Sequence, residues 1–389
     1  MSQPRQETLD WAMRLVSLDT TSRDPNLPLI DVVAAELHER GLATHVRPAP
    51  THGWANLIAT IPARDGATDG GVVLSGHTDV VPVDGQAWAS EPFAPAIRDG
   101  KLYGRGACDM KGFIACVLAL LPDMLAAGLA EPIHLAFSYD EEIGCIGGEQ
   151  IVKDFADLGL NPRCAIIGEP SMMRAIRGHK SVNLVEMEFR GLACHSSLKP
   201  HGLNAIEHAA AVIRRIAEYG EQLAANGPYD DAYEVPYSTV GTNLVHGGIA
   251  SNTVADTCVI QADFRTIAAD DPRQFYETLR GFGLAQEQVM RQANPAGRVE
   301  VRLKSLVPGL ETAADGPAAR LAHDLGLEVS DAKVTYGTEA GQFSGAGMDA
   351  IVCGPGDIAQ AHGPNEYVEL DQLAACEQML ERLIAHLAR

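Results

Sequence analysis

The chain has 389 residues, 46% hydrophobic and 21% charged, which is ordinary globular composition and long enough for two domains. Fifty-one acidic against 30 basic residues leave a formal charge of −21. That balance argues against nucleic acid and anionic membrane surfaces as partners, because both are bound by clustered Lys and Arg. It suits cationic metals or ligands, and it serves solubility equally well.

The first residues, MSQPRQETLDWAMRLVSL, lack a basic stretch followed by an apolar one, so no secretory leader is expected. Leu9, Ala12, Met13, Leu15 and Val16 recur at helical spacing and predict a helix near 6–18. No apolar run reaches membrane-spanning length, and the cytoplasm is the expected compartment. The eight cysteines form no C-x-x-C pair and mostly lie in apolar stretches, which predicts buried free thiols in a reducing compartment.

Helix and strand then alternate. A helix near 29–41 ends at Gly41, and Asn56–Ile61 reads as a short strand. Val72–Ser75 is an apolar strand that delivers His77 and Asp79 just past its end. Lys101–Tyr103 is short and extended, and 112–127 reads as one buried helix ending at Gly128. His134–Ser138 is a strand leading to Asp140, Glu141 and Glu142. Gly147–Leu158 is a helix, and Cys164–Ile167 a strand leading to Glu169. Three strands thus carry His or acidic residues beyond their C-terminal ends, the edge where open α/β sheets place ligands.

The pattern changes near residue 180. Ser181–Arg190 alternates apolar and polar residues, with Val182, Leu184, Met187 and Phe189 as its apolar set. An amphipathic helix over 203–219 follows, then strands Thr239–Val245 and Val254–Phe264, a helix Arg273–Phe282 and a strand Val299–Leu306. This β-α-β-β-α-β order predicts a small inserted α+β domain with a four-stranded sheet. Helix 316–325, strands Val334–Tyr336 and Ala350–Cys353, and a last helix near 370–387 predict a return to the first domain. The expected division is 1–180, 181–310 and 311–389.

His77, Asp109, Glu141, Glu142, Glu169 and His362 supply two imidazoles and four carboxylates. Each has an ordinary explanation. His77 at a strand end can be a capped or solvated residue, Asp109 can cap a helix, Glu141–Glu142 can be a solvated turn, and Glu169–Pro170 a loop entry. A pair of divalent metals accounts for all of them together, and a metal pair that activates water points to a hydrolase. Two cations about 3.5–4 Å apart need a bridging ligand. Asp109, in a glycine-rich turn, is the best placed. Adjacent Glu141 and Glu142 cannot share one direction, so one can bind metal while the other acts as general base. Asp79 can accept a proton from the His77 ring and set its tautomer.

The segments GHTDVVP, GRGACDMKG, SYDEEIGCIGG and IIGEP resemble the signatures of the two-zinc amidohydrolases, a family that includes aminoacylase, carboxypeptidase G, succinyl-diaminopimelate desuccinylase and acetylornithine deacetylase. DTTSRDPNLPLID, RAIRGHKSVNLVEMEFRG, GTEAGQFSGAG and CGPGDIAQAHGPNEYVEL resemble the acetylornithine deacetylase branch most closely. The resemblance implies an α/β catalytic domain built on a mixed sheet, as in zinc peptidases, with an inserted ferredoxin-like α+β domain serving as lid and dimerisation surface.

It also implies roles. His77 and Glu169 bind one zinc, Glu142 and His362 the other, and Asp109 bridges them, with a cis peptide to Met110. Glu141 is the general acid/base and Asp79 orients His77. His195, in GLACHSSLKP, reaches the active site of the other subunit of a homodimer and steadies the oxyanion. Asn252 and Arg265 hold the substrate carboxylate, to which Arg is suited by its planar fork. Hinges are expected near residues 180 and 310. Co²⁺ or Mn²⁺ can occupy such oxygen- and nitrogen-rich sites in place of zinc.

Two further residues are read from chemistry alone. Thr338 is a candidate hydrogen-bond partner of the substrate, and Glu339 either pairs with a cationic substrate side chain or caps a helix. The reaction implied is hydrolysis of a small N-acyl amino acid, N2-acetyl-L-ornithine foremost. A broader deacylase, an acetylcitrulline deacetylase, a desuccinylase and a non-catalytic metal-binding dimer are the alternatives.

Overall fold

The computed structural model describes residues 3–50 and 53–389. The chain forms two compact units. One comprises Met1–Gly178, Leu310–Lys333 and Thr338–Arg389, and the other His179–Gly309 with Val334–Gly337.

The first unit is built on a mixed eight-stranded sheet. Its strand order is Thr44–Pro48, Ala55–Ile61, Ile133–Ser138, Val72–His77, Cys164–Pro170, Asp349–Gly354, Ala175–Ile176, Val329–Ser330. The four strands from Ile133–Ser138 to Asp349–Gly354 run parallel. They are buried almost throughout, as expected for parallel strands covered by helices on both faces. Register aligns His77 with Ser138, and Ser75 with Ile167. His77, the Asp140–Glu142 turn and Glu169 therefore emerge at one edge of the sheet.

The long helix expected over 112–127 is two helices, Lys111–Ala119 and Leu121–Ala126. Pro122 lacks the N–H that would continue the first helix, and it sits instead in the opening turn of the second. The strand expected at Val334–Tyr336 does not form. Val334 makes only a single bridge to His179, and Val329–Ser330 takes the sheet edge beside Ala175–Ile176. The strand beside it, Gly178–His179, is two residues long, too short to complete a ladder.

The second unit is a four-stranded antiparallel sheet in the order Thr239–Gly247, Thr257–Arg265, Val182–Arg190, Arg298–Val307, with helices Ala205–Asn226 and Pro272–Ala293. Both helices outrun the lengths read from sequence. Gly220 and Gly283, just past the expected ends, mark close approaches to the sheet rather than stops. A Cβ on Gly283 would lie 2.7 Å from Val301, and one on Gly220 3.1 Å from the Val240 carbonyl. The expected strand Val254–Phe264 begins only at Thr257.

The alternation in Val182–Arg190 also has a corrected parity. Asn183, Val185, Met187 and Phe189 are buried, whereas Val182 and Leu184 are half-buried on the opposite face. Asn183 is accommodated because its amide donates to Ser181 Oγ and the Phe264 carbonyl.

Gly147 opens the helix Ile146–Asp157 directly behind the Glu141–Glu142 turn. A Cβ there would press on the Tyr139 backbone, with Tyr139 N at 2.6 Å and Asn56 Oδ1 at 2.8 Å. Gly147→Ala is expected to destabilise the protein by about 1–3 kcal/mol, the usual cost of overpacking. A denaturant midpoint equal to that of the wild type would contradict this contact.

Candidate metal centre

His77 is the last residue of an all-buried central strand, and its side chain is 1% exposed. Its Nδ1 lies 3.0 Å from the main-chain carbonyl of Asp79, which can only accept. Nδ1 therefore carries the proton and Nε2 offers its lone pair to a cation. Nε2 lies 2.9 Å from Asp109 Oδ1 and 3.6 Å from Glu169 Oε1.

Asp109 follows a glycine turn and is joined to Met110 by a cis peptide bond. Its second oxygen lies 3.1 Å from Nε2 of His362, and Glu142 Oε2 lies 3.0 Å from the same nitrogen. One buried carboxylate is thus flanked by an imidazole on each side. Ligand atoms of His77, Asp109 and Glu142 lie within 4.8 Å of one another, and so do those of His77, Glu141 and Glu169. Residues from positions 77 to 362 converge here because one sheet edge gathers the loops that carry them.

The Glu141–Glu142 turn is shaped by left-handed residues at both ends, Asp140 (φ 52°) and Cys145 (φ 51°). Its amides are clamped by Asp79, whose oxygens accept from Glu141 N at 3.1 Å and Glu142 N at 3.2 Å. Ser22 Oγ donates to the same carboxylate at 2.7 Å. Asp79 Oδ1 lies farther from His77 Nδ1, at 3.6 Å. Asp79 thus touches the His77 ring chiefly through its main-chain carbonyl and holds the carboxylate turn with its side chain.

Electrostatics reflect crowded negative charge. Burial, reinforced by neighbouring carboxylates, pushes Glu142 up to about 7 and raises Glu141 and Glu169 well above the usual range. Burial would lower His77, but the Glu169 charge and the hydrogen bonds to Asp109 and Asp79 raise it well above its ordinary value. Hydrogen bonds to Asp109 and Glu142 carry His362 to about 10. Burial disfavours charge on Asp109, yet contacts with His362 and His77 hold it below the ordinary carboxylate range. Glu142 Oε1 is buried without a hydrogen-bond partner.

Two imidazoles, a central carboxylate, outer carboxylates and an orphaned oxygen form a donor set that fits two divalent cations. His77, Asp109 and Glu169 would hold one, and Asp109, Glu142 and His362 the other.

Of the remaining candidates, Glu339 borders this cluster, its charge acting on Glu141, and the others lie elsewhere in the two units. Thr338 Oγ1 accepts from Ala340 N at 3.0 Å and so caps the short helix Ala340–Gly345. Glu339 is buried and makes no cap hydrogen bond. Its carboxylate faces the Ser138 hydroxyl and the Gly148 amide without completing a well-formed hydrogen bond to either, and burial pushes it up to about 7. In the second unit, His195 and Asn252 lie side by side, with Ser196 N donating to the Asn252 carbonyl at 2.9 Å. His195 Nδ1 lies 2.7 Å from Ser197 Oγ. Arg265 is half-buried and pairs with Asp263 on its own strand at 3.0 Å.

Residue patterns alone did not single out Ser22, Gln86, Arg105 or Glu366, all of which touch the metal-ligand segments. Arg105 and Glu366 form a buried ion pair at 2.5 Å. The available signal was proximity in sequence, with Arg105 four residues before Asp109 and Glu366 four after His362.

Residues 73–386 match the model of peptidase family M20/M25/M40. An acetylornithine deacetylase from Myxococcus xanthus is 34% identical over 377 residues, covering 96% of this chain and 95% of that protein. A tripeptidase from Staphylococcus aureus superposes with a TM-score of 0.74 at 21% identity, each chain covered in full. An M20 family metallo-carboxypeptidase from Sulfolobus solfataricus superposes at 0.73 with 19% identity and 99% of each chain covered. The converging donor set and the fold therefore define a metal-dependent hydrolase. The chain belongs to peptidase family M20/M25/M40.

Chelator-stripped protein should melt below the wild type as isolated, and two equivalents of Zn²⁺ or Co²⁺ should restore the transition, since a ligand that binds only the native state stabilises it. An unchanged melting curve on stripping and reloading would count against a cation site here.

Proposed function

We propose that this protein hydrolyses N2-acetyl-L-ornithine to L-ornithine and acetate, a deacetylation that serves arginine biosynthesis. The observation that carries the chemistry is Asp109 flanked by His77 and His362 with Glu141 alongside. The 34% identity to an acetylornithine deacetylase, spread over nearly both chains, supports the substrate. No helix among the described residues is long and apolar enough to cross a membrane. The likeness to a biosynthetic deacetylase supports a cytoplasmic setting.

When bound, two divalent cations supply Lewis acidity to the scissile carbonyl and to the attacking water. Zinc is the proposed pair, with cobalt or manganese as substitutes. Glu141 takes the proton of that water as its oxygen attacks the acetyl carbon. Glu141 then passes the proton to the amine nitrogen as the C–N bond breaks, leaving acetate and a free amine. Asp79 keeps Glu141 and Glu142 in register through their amides.

From the second unit, Asn252 and Arg265 are assigned the substrate α-carboxylate, Arg265 exchanging Asp263 for it. His195 of the partner subunit is assigned the developing oxyanion, which makes the active species a homodimer. Thr338 and Glu339 are the candidates for the distal end of the substrate. A buried carboxylate suits an ammonium group there.

Glu141→Gln is expected to lower kcat by at least about 10²–10⁴-fold, the range for a lost general base, while the protein keeps both cations. Stoichiometric loss of metal in that variant would make Glu141 a ligand instead. Rates of acetate release across N2-acetyl-ornithine, acetyl-citrulline and neutral N-acetyl amino acids test the substrate. Equal kcat/KM across that panel would mark a broad deacylase. Glu339→Gln should erase any preference for the cationic side chain, and an unchanged preference would remove Glu339 from substrate recognition. A monomeric variant with full activity would exclude the role of His195 across subunits.

A further inference from the structure

We propose that Gln86, itself fixed by the buried Arg105–Glu366 pair, is a positioning residue that sets the affinity of the cation His362 would hold separately from that of the other. The inference rests on the reading above, in which Asp109 and His362 hold metal.

The two arms of the centre are built differently. His77 ends a central strand that is laddered on both sides as far as Ser75; it pairs with Ser138 on one side, and its amide donates to Met110 Sδ at 3.3 Å. Glu169 sits in the neighbouring strand. His362 has no such support. It lies in a loop, its side chain is 53% exposed, and its backbone is left-handed at φ 61°, as is that of Asn365 at 60°. A non-glycine residue in that region is strained and persists only where its surroundings hold it.

The surroundings are the Gln86 network. Gln86 Nε2 donates to the His362 carbonyl at 2.8 Å, and Arg105 donates to the same oxygen at 3.4 Å. Asn365 Oδ1 accepts from Ala89 N at 2.7 Å. Gln86 is itself fixed, since its Oε1 accepts from Arg105 at 2.7 Å and from Trp88 Nε1 at 3.0 Å. The other end of the network holds Asp109. Glu366 Oε1 accepts from Cys108 N at 2.9 Å and Asp109 N at 3.1 Å, while Oε2 pairs with Arg105 at 2.5 Å. One chain of contacts therefore runs from the His362 carbonyl through Gln86, Arg105 and Glu366 to the Asp109 amide. It fixes the separation of two ligands 253 positions apart, and Gln86 touches only the His362 end.

Truncating Arg105 would leave Glu366 as an unpaired buried charge and endanger folding. Gln86 is half-buried and uncharged, and it carries the test. Gln86→Ala removes both sets of contacts. Gln86→Glu keeps the acceptor for Arg105 and Trp88 but loses the donor to His362. Chelator-stripped full-length protein is titrated with Zn²⁺ by calorimetry, and the apo form is melted in parallel.

The expected result is two binding events in the wild type. In both variants one event should weaken by about 10–100-fold, the usual effect of losing a group that orients a ligand. The other should stay within about twofold, and the apo melting temperature should be unchanged. Equal weakening of both events, or of neither, overturns the proposal. So does a fall in apo stability that tracks the loss of affinity, because that is a general structural role. A wild type that binds fewer than two cations overturns the functional reading itself, a different outcome from two cations that ignore Gln86.

Discussion

Like charge held out of water at one edge of a parallel sheet is the constraint around which the first unit is organised. Asp79, Asp109, Glu141, Glu142, Glu169 and Glu339 are nearly all withdrawn from solvent, and among the described residues two imidazoles, His77 and His362, stand with them. A buried carboxylate without a partner costs several kcal/mol, so such a cluster is tolerable only with protons, hydrogen bonds or cations to balance it. The protein uses hydrogen bonds for Asp79, which accepts from two amides and a serine. It uses imidazoles for Asp109, which has one on each side. What is left over is carboxylate density with orphaned oxygen, and that is the chemistry of a divalent-cation site.

The sheet makes this crowding possible. Parallel strands bring their C-terminal ends to one side, so the loops after Val72–His77, Ile133–Ser138 and Cys164–Pro170 must share space. Strands fully buried on both faces leave the positions of His77 and Glu169 little freedom. The Asp109 turn and the His362 loop lack that support and are held by an outer layer of polar contacts. The centre is therefore rigid by ladder on one side and by hydrogen-bond network on the other.

The second unit obeys different rules. Its sheet is antiparallel with one face covered by two 22-residue helices, and its two central strands alternate buried and half-buried residues. His195 and Asn252 are exposed in its turns, and Arg265 is half-buried at a strand end. Arg265 is already engaged by Asp263, so recruitment to a carboxylate means exchanging one anion for another.

Most element types, the α+β insertion and the placement of His77, Glu141, Glu142 and Glu169 at or just past the ends of apolar strands were legible in the chain because they rest on local signals. These are apolar runs, acidic residues placed just past strands, and glycine turns whose meaning depends on a few neighbours. Tertiary structure alone decided the rest. It carried two helices through Gly220 and Gly283, because a missing side chain can serve close packing as well as a helix end. It turned the parity of Val182–Arg190, because a buried amide finds partners on strands distant in sequence. It left Val334–Tyr336 without a ladder, and it placed Gln86, Arg105 and Glu366 behind ligands they do not neighbour in sequence. Contacts between residues hundreds of positions apart have no local periodicity, so their geometry exists only once the sheet has brought the loops together.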